Sequence, residues 1–379
     1  MLYDKLREYA AGGVYPMHMP GHKRNTELLS GGLPYDIDIT EIHGFDDLHD
    51  PHGLLLEISE TAAELYGSAK AFPLINGTTV GVLAAIGALA ERGDKILIAG
   101  NCHRSVRNAA SLFGLGTVYI PSDIDGSSGV PRSIDPAAVE SVLIKNPDIK
   151  LVVVTSPTYE GVISDIGSLA WVAHDHGIAL FVDGAHGAHL DFTERFGGGA
   201  VRAGADAVVM SLHKTLPALT QCSLLHICGG ERVNTDEVKR LLSVLQTSSP
   251  SYVLMASIDR CLRLLKTDAE KLFAEYERNL RRFSEDVMPL KNLSIIGYGR
   301  DTADSGFYAL DPGKLVIVTK NTALSGTVLS DILRAEHSIE LERACADYAI
   351  AMTSVCDRPE GFKRLSDALL AIDRSAGRA

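Results

Sequence analysis

From about residue 54 the chain alternates short apolar runs with stretches of helical period, and this alternation limits the fold more than any single motif. The runs are Lys95 to Ala99, Lys150 to Thr155, Ile178 to Val182 and Ala205 to Met210. Continuous apolar runs of this length read as strands buried on both faces. Helical patterns lie between them. In Leu54 to Tyr66, the residues Leu55, Ile58, Ala62 and Leu65 recur near a 3.6 period. Val82 to Ala90 and Leu169 to His176 are further helices, and Asp135-Pro136 places a cap and a first-turn proline ahead of Ala137 to Ile144. Repeated βα units predict an α/β fold with a mainly parallel sheet and helices on both of its faces.

The flanking segments read differently. Residues 1–50 form an arm, with a short helix from Leu2 to Ala11, then Met17-His18-Met19-Pro20-Gly21-His22-Lys23 and an acidic stretch from Asp36 to Asp50. Five of the 13 histidines fall before residue 53, which raises a metal site as one reading. No pair has HExxH spacing, so the expectation is no metal and an arm hydrogen-bonded near an active site. Residues 51–265 are the expected large domain, ending in the helix Val253 to Leu265 after the polar break Gln246 to Tyr252. Thr267-Asp268-Ala269-Glu270 has the form of a capping box and is expected to open a new helix, to about Asp286, into a smaller C-terminal α/β domain, 266–379. That domain is expected to contain strands Leu293 to Ile296, Phe307 to Leu310, Leu315 to Val318 and Tyr348 to Met352, with helices Ser325 to Ala335 and Arg358 to Asp373.

Composition removes several function classes. A net charge of -12 disfavours nucleic acid as a partner, because phosphate binding needs clustered positive charge. No apolar run is long enough to cross a bilayer and the first residues carry no signal-peptide pattern, so no membrane association and a cytoplasmic location are expected. The six cysteines are scattered without paired spacing and read as reduced thiols.

Polar groups collect where the strands end. Ser211-Leu212-His213-Lys214-Thr215 follows Ala205 to Met210, Asp183 ends the run from Ile178, His103 follows the run to Ala99, and Asn76-Gly77-Thr78-Thr79 precedes a helix. In open α/β sheets ligands bind at the C-terminal edge of the strands. Singly, each has a plainer reading: an exposed loop lysine, a capping histidine, an N-cap threonine. Together they match the needs of pyridoxal 5'-phosphate, whose aldehyde requires a lysine, whose phosphate requires N–H and hydroxyl donors, and whose ring nitrogen requires a carboxylate. Lys214 follows Asp183 by 31 residues, about one strand-helix-strand crossover.

The same stretches resemble a known family. His18-Met19-Pro20-Gly21-His22-Lys23, Asp38-Ile39-Thr40-Glu41, Asp46-Asp47-Leu48-His49-Asp50-Pro51, Asn76-Gly77-Thr78-Thr79, Asn101-Cys102-His103-Arg104-Ser105, Ser156-Pro157-Thr158-Tyr159-Glu160-Gly161, Asp183-Gly184-Ala185-His186-Gly187 and Ser211 to Gln221 are similar to motifs of the ornithine/lysine/arginine decarboxylases. Leu324-Ser325-Gly326 also fits. The resemblance implies the PLP-transferase (aspartate-aminotransferase-like) fold, with Lys214 as the Schiff-base lysine, Asp183 as partner of the pyridinium nitrogen and His103 stacked over the ring. It implies that Gly77, Thr78, Thr79, Ser211 and His213 hold the phosphate and that Ala185 packs beneath the ring. The segment Ser248 to Tyr252 resembles one near a dimer interface, so a homodimer with active sites near that interface is implied.

Full-length members of the family continue into a further C-terminal domain, and a short form without it is expected here. His52 and Leu54 also depart from the residue types expected after Asp50-Pro51. The implied reaction is α-decarboxylation of an amino acid, a basic one such as lysine, arginine or ornithine, with Lys214 or His213 returning the proton. Transamination, β-elimination and a non-catalytic partner subunit that binds the cofactor remain open as alternatives.

Overall fold

The computed structural model describes residues 1–12, 19–20, 23, 32–120, 123–298, 306–320 and 322–377. His18, Gly21 and His22 of the arm motif lie outside the described residues.

In chain order the first elements are helices α1 (Leu2–Ala11) and α2 (Leu54–Tyr66), strand β1 (Lys70–Leu74), α3 (Gly77–Leu89), β2 (Lys95–Ala99), α4 (Arg104–Phe113) and β3 (Gly116–Ile120). There follow α5 (Pro136–Lys145), β4 (Ile149–Thr155), β5 (Val162–Ile163), α6 (Ile166–Asp175), β6 (Ala179–Asp183), β7 (Ala207–Ser211), α7 (Leu212–Thr215), β8 (Ser223–Ile227) and α8 (Thr235–Leu245). The long α9 (Tyr252–Val287) then leads to β9 (Ser294–Ile295), β10 (Ala309–Leu310), β11 (Lys314–Val318), α10 (Gly326–His337), β12 (Arg343–Ala344), β13 (Tyr348–Met352) and α11 (Pro359–Ser375).

Seven strands form one sheet in the order β1-β8-β7-β6-β4-β2-β3. β3, β2, β4, β6 and β7 run parallel, β8 is antiparallel to β7, and β1 is antiparallel to β8, so β1 points the same way as the parallel set. The mainly parallel sheet expected from the βα alternation is present. Alternate residues of each strand enter different cores, because successive side chains point to opposite faces. Leu151, Val153, Phe181 and Val209 pack with α3, α4 and α8, whereas Val152, Val154, Leu180, Val182 and Val208 pack with α2, α5, α6 and α9. Both sets are buried, and each such side chain contributes roughly 1.5–3 kcal/mol relative to exposure. Pro73 sits in the edge strand β1, where a missing N–H costs little.

The arm is held by hydrogen bonds. Leu2 N donates to Asp259 Oδ2 (3.1 Å), Tyr252 Oη donates to the Asp46 carbonyl (2.6 Å), and His49 Nε2 donates to the Thr247 carbonyl (2.9 Å). The Asp46 carboxylate accepts from the N–H groups of His52, Gly53 and Leu55, which are the open donors at the start of α2. Burial would raise the Asp46 carboxyl, but these amides outweigh it and hold it below its ordinary value.

The capping box at Thr267 does not open a helix. α9 runs unbroken for 36 residues, and Thr267 Oγ1 donates back to the carbonyls of Arg263 (3.1 Å) and Leu264 (3.4 Å). No Gly or Pro interrupts the segment, and both ends are anchored: Met255, Ile258 and Leu262 in the large-domain core, Phe273, Tyr276, Leu280 and Phe283 farther on. Phe196 stacks on Tyr276 at 5.0 Å, and Tyr276 Oη bonds Thr353 Oγ1 at 2.7 Å. The sheet β12-β13-β11-β9 is wholly antiparallel and packs on α10, while α11 packs on α9 and α10. β5 and β10 pair across the two parts of the molecule.

Candidate active site

The C-terminal ends of β1, β2, β6 and β7 lie along one edge of the sheet, and the expected site residues follow those ends. β7 stops at Ser211 and turns at once into the single helical turn α7, which carries His213 and Lys214. Ser211 Oγ donates to Thr78 Oγ1 (3.3 Å), and Ser211 N donates to the Ala185 carbonyl (3.3 Å). The start of α3, the end of β7 and the turn after β6 therefore meet. Gly77 has φ +74°, a conformation suited to glycine, and a Cβ there would meet open space. The N-cap of α3, Asn76, makes no side-chain cap bond; Gly77 N donates to the Gln221 carbonyl (3.1 Å), so the helix start offers its N–H groups from Thr78 onward without a side-chain cap. Thr79 is exposed on the first turn.

Asp183 is the last residue of β6 and is 3% exposed. Its Oδ1 accepts from Ala185 N at 3.2 Å. Burial pushes its carboxyl up, against the pull of that amide and of Lys214 and His103. A carboxylate in this position is stabilised by a cation brought to it. Burial likewise pushes the Lys214 ammonium down, with Asp183 and Glu342 opposing. His103 caps α4: its Nδ1 accepts from Ser105 N (3.3 Å) and lies 2.8 Å from Ser105 Oγ. Burial lowers its pKa as well, with Asp183 raising and Lys214 lowering it. His213 donates from Nδ1 to the Cys222 carbonyl at 3.0 Å, because a carbonyl only accepts.

Two further residues of the cluster were not singled out in the sequence. His186, in the turn after β6, lies between two lysines: Nε2 is 3.1 Å from Lys214 Nζ and Nδ1 is 2.8 Å from Lys314 Nζ. Lys314 opens β11, 128 residues from His186, in a strand whose five residues are all buried. A lysine at the head of a buried apolar strand was the available signal. Beside them, Asp311 Oδ1 accepts from His189 Nε2 (3.0 Å), and Tyr159 Oη donates to Glu342.

The sheet order and the lysine turn after β7 define a class, the PLP-transferase (aspartate-aminotransferase-like) fold. The structure superposes on the lysine decarboxylase LdcF of Francisella novicida with a TM-score of 0.86 at 18% identity, over 98% of this chain and 60% of that enzyme. The chain thus spans about three fifths of that solved structure. Residues 1–296 match the family model described as Orn/Lys/Arg decarboxylase, major domain, and the chain belongs to the Orn/Lys/Arg decarboxylase family. It is 31% identical over 377 residues to an arginine decarboxylase of Bacillus subtilis, covering 98% of this chain and 76% of that protein. It is 44% identical over 347 residues to the uncharacterized protein YaaO of the same organism, covering 90% and 71% respectively.

Proposed function

We propose that the chain is a pyridoxal 5'-phosphate-dependent decarboxylase of a basic amino acid, releasing carbon dioxide and an amine. The observation that carries this is the meeting of Lys214, Asp183, His103, Ser211 and Thr78 at one sheet edge in a chain of this family. The cofactor's needs fit the residues present. The start of α3 at Gly77, Thr78 and Thr79, where Asn76 adds no side-chain cap, would with Ser211 and His213 hold the phosphate, and Asp183 would supply the charge its ring nitrogen requires. Ala185 has a methyl side chain that would leave room under a flat ring, and His103, exposed at the start of α4, would cover the other face. Lys214 is the amine to which the cofactor's aldehyde attaches.

When bound, the cofactor supplies an electron sink for the pair left as carbon dioxide departs. Asp183 holds the ring-nitrogen proton in place by its buried charge. Lys214 or His213 would return a proton to the substrate's α-carbon; His213 Nδ1 is held by the Cys222 carbonyl, so Nε2 is the ring nitrogen that would carry it. The relatives' names support the substrate class, and arginine is the first substrate to assay, because the arginine decarboxylase relative covers 98% of this chain.

We further propose the division into an arm (1–50), a large domain (51–265) and a small domain (266–379), with α9 shared between the last two. The resemblance of the Ser248 to Tyr252 segment to one near a dimer interface supports a homodimer. No described helix is long and apolar enough to cross a membrane, and we assign the protein to the cytoplasm, its amine product entering polyamine synthesis.

The test is reconstitution with pyridoxal phosphate, borohydride reduction and peptide mass mapping, followed by carbon dioxide and amine assays on arginine, lysine and ornithine. An adduct on Lys214 with amine release is expected. Keto-acid formation would replace decarboxylation by transamination, and no turnover on any amino acid would leave the non-catalytic partner.

A further inference from the structure

Lys314 is 3% exposed and belongs to the small domain, yet its Nζ reaches 2.8 Å from Nδ1 of His186 in the large domain. The other ring nitrogen lies 3.1 Å from Lys214 Nζ. A neutral imidazole offers one N–H and one lone pair, whereas an ammonium offers donors only. Two ammonium groups cannot both be satisfied by one neutral ring, and a protonated ring satisfies neither. One charged lysine, one neutral imidazole and one neutral amine satisfy every contact.

We propose that Lys214 and Lys314 share a single proton through His186, and that Lys314 takes this proton when Lys214 must present a free amine. The transfer balances without a co-reactant. Lys214 Nζ gives a proton to His186 Nε2, His186 Nδ1 gives its own to Lys314 Nζ, and the ring is left as the other tautomer. The total charge is unchanged. Lys314 is therefore a positioning residue that acts through His186, on the reading that Lys214 is the amine carrying the cofactor.

The groups facing this chain of three support it from each side. Lys314 is faced by Asp311, Glu342 and Glu160, which favour its charge, and by Lys214, which opposes it; burial dominates and brings it down to about 8. Asp311 is itself fixed by His189 and by Gly313 N (2.8 Å). His186 is faced by Lys314, Lys214, His189 and His103; burial first, and then any positive charge on these neighbours, holds its pKa far below the ordinary value, so the ring stays neutral. The Tyr159 ring packs against His186 at 4.8 Å. Lys214 is faced by Asp183 and Glu342. A cation drawn to Asp183 weakens its hold on the Lys214 ammonium and moves the shared proton toward Lys314.

The test reads Lys214 directly in the cofactor-free chain. Limiting formaldehyde with cyanoborohydride labels free amines, and the extent at Lys214 is followed by peptide mass spectrometry from about pH 6 to about pH 10, against exposed Lys271 as reference. K314M removes the acceptor, so the Lys214 profile moves up by about one pH unit, roughly tenfold less labelling at a given pH below the midpoint. K314R supplies a cation that cannot accept, fixes the lone pair of His186 toward position 314, and moves the profile down. In a His186→Phe background K314M has no further effect on Lys214.

Shifts of K314M and K314R in the same direction, an unmoved K314M profile, or a K314M effect that persists without His186 each overturn the proposal. Circular dichroism and thermal unfolding check each variant, and if K314R does not fold the comparison with and without His186 decides alone. Borohydride trapping of pyridoxal phosphate on another lysine would sink the proposed function, while labelling without cofactor would still read the relay. Trapping on Lys214 with an unmoved profile would sink the relay alone.

Discussion

His186 and His226 are both buried imidazoles of the large domain, and they sit in opposite kinds of surroundings. His226 lies within β8, fully buried, with Nδ1 2.9 Å from Ser68 Oγ, Nε2 without a partner among the described residues and the Tyr66 ring 4.8 Å away. Burial alone drives its pKa down to about 3. His186 lies beyond a strand end, with an amine on each nitrogen and cations among the causes of its lowered pKa. Burial neutralises both rings, so a depressed pKa does not separate them. The partners do: one ring fills space between strands and the other links two titratable groups.

The largest effect expected at the site end of this contrast is that of Lys214→Ala. Turnover should fall by at least about 10³-fold with loss of borohydride-trapped cofactor, and near-normal activity would refute the amine's role. Asp183→Asn should reduce turnover by roughly 10²-fold or more while cofactor still binds, measured by carbon dioxide release against retained cofactor absorbance. Retained turnover would remove the carboxylate from the mechanism.

At the other end, His226 should act on stability and leave catalysis alone. Its pKa near 3 in the folded chain against an ordinary 6.5 means that between these values the unfolded chain binds a proton that the folded chain does not. Stability therefore falls as pH drops from 6.5 toward 3, by of order 2–4 kcal/mol from this group. In His226→Leu, denaturant melts over that window should show a flatter acid limb with unchanged turnover. A limb as steep as the parent's would place the acid sensitivity elsewhere. The smallest expected effect is that of Ser68→Ala, which removes the hydrogen bond to the His226 ring and should cost about 1 kcal/mol in the same melts, with no change in the Lys214 labelling profile.

Much of the sheet was legible because strands buried on both faces read as continuous apolar runs, as β2, β4, β6 and β7 do. The proposed site residues Asp183, His103, Ser211 and Lys214 stood out for the related reason that each follows such a run. What was missed has local causes. β3 is an edge strand with three of its five residues exposed, β1 holds Pro73, and β8 follows the site loop directly, so none stands out by pattern. The start of α3 at Gly77 is composed of weak helix formers, and its expected beginning at Val82 came a turn late. Thr267 fits a capping box because that signature is four residues long and says nothing of the helical turns before it. Lys314 stood at the head of the expected strand Leu315 to Val318, but its contact with His186, 128 residues away, has no local signature.

The unbroken α9 has a mechanical consequence. At 36 residues it is a rod about 54 Å long that belongs to both halves of the molecule, so no flexible linker joins them at that point. On the other side the halves are tied by the β5–β10 pair and by Lys314 and Asp311 reaching His186 and His189. Widening the space above Lys214 therefore means flexing one long helix against its own backbone hydrogen bonds. If Lys214 is the reacting amine, as proposed, the clearance over it depends on the elastic stiffness of a segment well removed from it in sequence.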